Sequence, residues 1–194
     1  MVPVLGAKLW DYAARRNSEY LCEIALRFGI DINTKDEKGN TPLSRSVKYC
    51  GSSSISKLLQ NGAQVDARND EEETPLIRTL KDFAERKEII DLLLLNGADV
   101  NSRNGNHETP LLCVLLCVLN TGRYSWSGKM PGIYDHVENM VLTLLQKGAM
   151  VNVKTLYGAT PIYLAVQISK DICQLLLGYG AEVDTRRVEL NKPV

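Results

Sequence analysis

The sequence predicts an all-α fold of helix pairs stacked one on the next, each pair joined to its successor by a turn-tipped finger. Two independent series predict it. The dipeptide Thr-Pro recurs at Thr41, Thr74, Thr109 and Thr160, spaced 33, 35 and 51 residues apart. A five-residue segment that opens on glycine and closes on Asn or Asp recurs at Gly29, Gly62, Gly97, Gly148 and Gly180, spaced 33, 35, 51 and 32 apart. The two series keep one phase and share one interruption. A period of this length marks units that cannot bury an apolar stripe alone and do so against their neighbours.

Each marker has a physical role. Threonine caps unpaired amides at a helix start and proline tolerates the first turn, which defines a helix A after every Thr-Pro. Roughly 13 residues later a second apolar stripe follows, such as Ile89, Ile90, Leu92, Leu93 and Leu94, and Asn96-Gly97 closes this helix B with a left-handed turn. Ala98-Asp99-Val100-Asn101 and polar turns such as Lys38-Gly39-Asn40 then form the finger. The repeats fall at about 5–33, 36–66, 69–101, 104–152 and 155–184, a single domain over 1–187 with a tail at 188–194. The first repeat has Lys8-Leu9 in place of Thr-Pro, followed by Trp10, which reads as a terminal cap. The third carries two extra residues near Asp82 to Lys87. The fourth carries an insertion at about 120–134, whose Gly122, Tyr124, Trp126, Pro131 and Tyr134 read as an ordered loop. Helix A of that repeat, Pro110 to Leu119, is apolar on every side, which predicts burial beneath the insertion or beneath a partner.

The unit resembles the ankyrin repeat, whose pattern is similar to G-x-T-P-L followed by L-L-x-x-G-A-D-V-N. Gly39-Asn40-Thr41-Pro42-Leu43 and Leu93-Leu94-Leu95-Asn96-Gly97-Ala98-Asp99-Val100-Asn101 carry the likeness. The resemblance implies a solenoid with a concave groove, lined by finger tips and helix A ends, that holds a protein partner. Carried onto this chain, it assigns Arg15, Arg16, Lys48, Tyr49 and Lys81 to a charged half of the groove. Leu116, Leu156, Tyr157 and Ile168 form an apolar half, with Trp126 of the insertion as a further candidate. Finger residues from Asn40 through Glu73 to Ala159 join the lining.

Composition excludes other classes. Lys plus Arg and Asp plus Glu both total 23, so no global field attracts nucleic acid or an anionic membrane. The longest uncharged apolar run, Leu111 to Leu119, falls well short of the roughly 20 residues of a membrane-spanning helix. No secretory signal is visible. Five scattered cysteines and the lack of an Asn-x-Ser/Thr acceptor predict a reducing compartment, the cytoplasm or the nucleus. His107 and His136 have no reason to converge on a nucleophile, so no enzyme is expected, and no small-molecule substrate. Cys113 and Cys117 share a helix face, but lack a second ligand pair and read as core, which leaves neither metal nor cofactor. Gly178-Tyr179-Gly180 ends a helix instead of cradling a phosphate. Asp70-Glu71-Glu72-Glu73 reads as a solvated run, with a basic partner as the alternative, and Glu72 stands where the turn prefers glycine, which leaves that finger's geometry open.

The function expected is a non-enzymatic protein-binding module acting as scaffold, adaptor or competitive inhibitor. Its divergent repeats also resemble those of large DNA viruses, insect parasitoids and intracellular bacteria, some similar to inhibitors of κB, which implies interference with host immune signalling. A structural or oligomerising fragment of a longer scaffold is the other alternative.

Overall fold

The structure, a computed structural model, describes residues 2–81, 86–124 and 133–183, with the backbone alone at 2–5, 7, 19, 121–124 and 133–135. It falls into two compact units, Met1–Asp99 and Val100–Val194. The first holds α1 (Val2–Arg15), α2 (Glu19–Arg27), α3 (Pro42–Tyr49), α4 (Ser52–Gln60), α5 (Pro75–Lys81) and α6 (Lys87–Leu95). The second holds α7 (Pro110–Tyr124), α8 (Ile133–Gln146), α9 (Pro161–Ala165) and α10 (Lys170–Gly178). No strand occurs among the described residues.

In the first unit α3 packs between α1 and α5, and each of these three lies against its own partner, α2, α4 or α6. In the second, α7 packs on α8 and α9, and α10 on α9 and α8. The apolar stripes meet between these rows. Leu43, Ile55, Leu58, Leu76, Ile77 and Leu93 are fully buried in one unit, and Leu111, Leu112, Leu115, Leu144, Ile172 and Leu176 in the other. Each such side chain contributes about 1.5–3 kcal/mol relative to exposure.

The Thr-Pro signal behaves as the chemistry requires. The hydroxyls of Thr41, Thr74, Thr109 and Thr160 accept from the amides of Ser44, Ile77, Leu112 and Tyr163 at 3.2 to 3.5 Å. At the helix B ends, Gly62 adopts φ 88°, its amide reaches Leu59 O at 3.1 Å and Ala63 N reaches Leu58 O at 3.0 Å. This six-to-one closure recurs at Ala98, Ala149 and Ala181, so the Gly-Ala pair is a left-handed helix stop.

The residue that closes each five-residue segment staples one helix pair to the next. Asn33 Oδ1 accepts from Gln64 N at 2.8 Å while its Nδ2 donates to Gly62 O at 3.1 Å. Asn101 does the same to Met150 N and Gly148 O at 2.8 and 3.0 Å, and Asn152 to Glu182 N and Gly180 O at 2.9 and 3.0 Å. The exception is Asp66, whose carboxylate accepts from Asp99 N at 3.1 Å.

The insertion of the fourth repeat is not all loop. α7 runs for 15 residues to Tyr124 and α8 for 14 residues from Ile133, against 8 and 9 for α3 and α4. Extra helical turns therefore take up both ends of the segment expected to be a loop, because the apolar run Leu111–Leu119 continues without a breaker. The interior of the insertion, Trp126 included, the segment at Asp82 to Glu85 and the tail at 188–194 lie outside the described residues. On α7, Leu111 to Leu115 are buried and Leu116 to Leu119 half-buried.

Candidate interaction surface

Every described finger has one design. The side-chain oxygen of its first residue, Asp36, Asn69, Asn104 or Thr155, accepts from the amide four positions on, at 2.8, 2.8, 2.9 and 3.2 Å. The fourth residue, Gly39, Glu72, His107 or Gly158, sits at φ 69, 60, 58 and 78°. Glu72 therefore does not alter the finger; it occupies the left-handed region that a side chain disfavours by about 1–2 kcal/mol. Glu72→Gly is expected to raise stability by about 0.5–1 kcal/mol in urea denaturation, since the Arg68–Glu72 pair that it removes, 3.2 Å long, is largely exposed. Gly39 has a second reason to be glycine, because a Cβ there would lie 2.9 Å from Asp70 N of the next finger.

The fifth finger residue turns inward in three of the four fingers, while Glu108 is half-buried. Asn40, Glu73 and Ala159 are 3, 4 and 5% exposed, so these three do not line a groove as the sequence had suggested. Glu73 in particular leaves the acidic run, whose other members, Asp70, Glu71 and Glu72, are exposed. Its carboxylate lies 2.7 Å from Lys81 Nζ and 3.4 Å from Arg78 Nη1. Arg45 is held in the same way by Asp36 at 3.2 Å and by Asp11, which also binds Arg15 at 2.9 Å. Burial alone would raise the Asp36 carboxyl, but the amides of Asn40 and Lys38, the Asn40 side chain and the Arg45 guanidinium together hold it below its usual value.

These ion pairs turn Arg45 of α3 and Arg78 and Lys81 of α5 toward the fingers, with Asp11 and Arg15 of α1 beside Arg45. Arg15, Arg16, Lys48 and Tyr49 gather at the C-terminal ends of α1 and α3, which pack together. Lys81 is drawn back onto Glu73. Arg16 stands over the ring of Tyr12 at 5.5 Å, and Lys48 over that of Tyr49 at 5.8 Å. Tyr12 is a residue that sequence reasoning missed. The 33-residue offset that aligns it with Arg45 would have placed it on the same face. The end of α3 is fixed by Arg86, whose guanidinium donates to the carbonyls of Val47 at 2.9 Å, Cys50 at 3.3 Å and Lys48. A cation at this helix end also suits the macrodipole.

In the second unit, Leu156 and Tyr157 are 54 and 63% exposed at the tip of a finger whose flanking Thr155 and Ala159 are buried. Leu156 N donates to Asn106 O of the preceding finger at 3.4 Å. Leu116 on α7 and Ile168 just beyond α9 are half-buried. Trp126 is outside the described residues.

Burial pushes the thiols of Cys50 and Cys173 up, away from the thiolate form. Cys113 is buried, its Sγ 3.9 Å from Glu108 Oε2. Among the described residues no group of three or more His, Cys, Asp or Glu is placed to hold a metal ion, and no helix is long and apolar enough to cross a membrane.

Comparison with known families fits this geometry. The family model for ankyrin repeats (3 copies) matches residues 10–104, and that for a single ankyrin repeat matches residues 157–187. The chain belongs to the ankyrin repeat family. Its fold is the all-α ankyrin arrangement, and ankyrin repeats are generally protein–protein interaction modules, typically non-enzymatic. No curated protein matches the chain. Residues 105–156, between the two matches, contain the long helices α7 and α8, yet keep the Thr109 cap and the Gly148-Ala149 stop of the other ankyrin units.

Proposed function

We propose that this chain binds a partner protein on the finger side of its helices, as a scaffold, adaptor or competitive inhibitor, with Leu156 and Tyr157 as the apolar anchor. The observation that carries this reading is their exposure on a pinned support. The finger beneath them is closed by Thr155 N to Ala159 O, Gly158 N to Thr155 O and Ala159 N to Thr155 Oγ1, at 3.0, 3.0 and 3.2 Å. Two large apolar side chains held in water by a rigid turn lose little entropy on docking, and aromatic anchors of this kind dominate interface energies.

The double variant Leu156→Ser/Tyr157→Ser tests it. Capture of partner from cell lysate is expected to fall at least tenfold, while the melting temperature stays within about 2 °C of wild type because both side chains are already solvated. A marked drop in melting temperature with capture unchanged would show that the pair serves the fold instead.

A second reading, self-association through the last helix pair, is favoured by one observation. Val166 and Leu177 are 72 and 47% exposed, whereas their counterparts one repeat earlier, Leu115 and Leu145, are 0 and 3%. Light scattering across a concentration series separates the two readings.

A further inference from the structure

The ion pairs on α1, α3 and α5 do not include Arg16 and Lys48. Arg45, Arg78 and Lys81 each have a carboxylate of this chain beside them, and Arg15 has Asp11. Arg16 and Lys48 have no ion pair among the described residues, and each lies against the face of an exposed tyrosine. The two pairs stand at the C-terminal ends of the adjacent packed helices α1 and α3, and axes of packed helices lie about 8–10 Å apart. The Arg86 clamp on the last carbonyls of α3 holds one of them in place.

We propose that the ridge of Tyr12, Arg16, Lys48 and Tyr49 binds an extended acidic segment of a partner protein, carboxylates three residues apart reaching Arg16 and Lys48 while the chain between them lies on the rings. This rests on the reading of the chain as a protein-binding module, but on helices other than those beside Leu156 and Tyr157. An extended chain advances about 3.1–3.4 Å per residue, so side chains at i and i+3 span the helix spacing. A carboxylate arriving at a cation that already faces a ring completes its surroundings as Glu73 does for Lys81 and Asp36 for Arg45. Tyrosines present wide contact area and have few rotamers to lose. A nucleic acid fits less well. Its backbone carries a phosphate at every nucleotide, more closely spaced than Arg16 and Lys48 can match, and the chain's charges sum to zero, so no wider field would hold it.

The test uses a fluorescein-labelled peptide of four Glu-Pro-Pro repeats, whose polyproline II form sets a glutamate about every 9 Å. At about 50 mM salt, where screening is modest, the full chain is expected to give a saturable rise in anisotropy. Arg16→Glu/Lys48→Glu is expected to weaken it at least tenfold and Tyr12→Ala/Tyr49→Ala several-fold, with a Lys-Pro-Pro repeat peptide silent. Arg16→Gln/Lys48→Gln repeats the measurement without charge reversal, and circular dichroism melts confirm that each variant is folded. No saturable binding at millimolar peptide, binding by both charge variants as tight as by wild type, or tighter binding of a twelve-residue oligodeoxythymidine would each overturn the proposal. A partner lost from Leu156→Ser/Tyr157→Ser but retained by Arg16→Glu/Lys48→Glu, with the peptide unbound, overturns this inference and leaves the protein-binding reading standing.

Discussion

Replacing Glu73 with alanine is expected to destabilise the first unit by about 3 kcal/mol, measured by urea denaturation at pH 7. The side chain is 6% exposed, and its two oxygens serve three donors: Lys81 Nζ at 2.7 Å, Arg78 Nη1 at 3.4 Å and Asn69 Nδ2 at 3.3 Å. Removal strands a guanidinium that is itself only 19% exposed and whose Nε is already committed to Ser44 O at 3.0 Å. Lys81, at 38%, regains water more readily, which keeps the loss near the lower end of the range for a broken buried pair. Glu73→Gln keeps the shape and one acceptor and is expected to cost less, about 1–2 kcal/mol. If alanine proves as stable as wild type, the burial of this carboxylate is energetically irrelevant and the finger is held by its backbone bonds alone.

Glu73 also shows where sequence reading stops. The helices were legible because period, caps and stops are local. Thr41 needs only the amide of Ser44, and Gly62 only the carbonyl of Leu59. Four consecutive acids, by contrast, read as one solvated run, since composition does not reveal that the fifth finger position points inward. Register puts Glu73 in phase with Asn40 and Ala159, which are buried as well, but phase alone does not say which way a position points. The exposed candidates fared differently. Leu156, Tyr157, Lys48 and Tyr49 do reach the surface, because a finger tip and a helix end are fixed by the repeat itself. Lys81 is exposed as well, and its ion pair with Glu73 was not legible, since the two stand at opposite ends of α5. The extra turns of α7 and α8 were missed because the insertion's glycines and aromatics suggested loop chemistry, while helical continuity came from the apolar run before it.

The staples between helix pairs yield the second large effect. Asn101→Ala removes both the acceptor for Met150 N and the donor to Gly148 O, and is expected to cost about 2 kcal/mol, two hydrogen bonds at about 1 kcal/mol each. Asp66 is the natural converse. A charged carboxylate accepts but does not donate, so the first unit lacks the second half of this staple at its last helix pair. Burial raises the Asp66 carboxyl above its usual value, and the neighbouring Asp99 charge raises it further, against the pull of the Asp99 amide and Arg68. The folded chain therefore holds this proton more tightly than the unfolded chain. The charged form subtracts stability, a loss that develops as pH rises from the ordinary aspartate value of 3.8 through the raised one. Asp66→Asn is expected to stabilise the fold by about 1 kcal/mol at pH 7, and by progressively less as the pH is lowered through that window, where a protonated Asp66 becomes a donor itself. Urea denaturation of both variants at pH 7 and pH 3.5 checks the pair. A gain from Asp66→Asn that does not shrink with acid would place its origin in packing instead of in the missing donor.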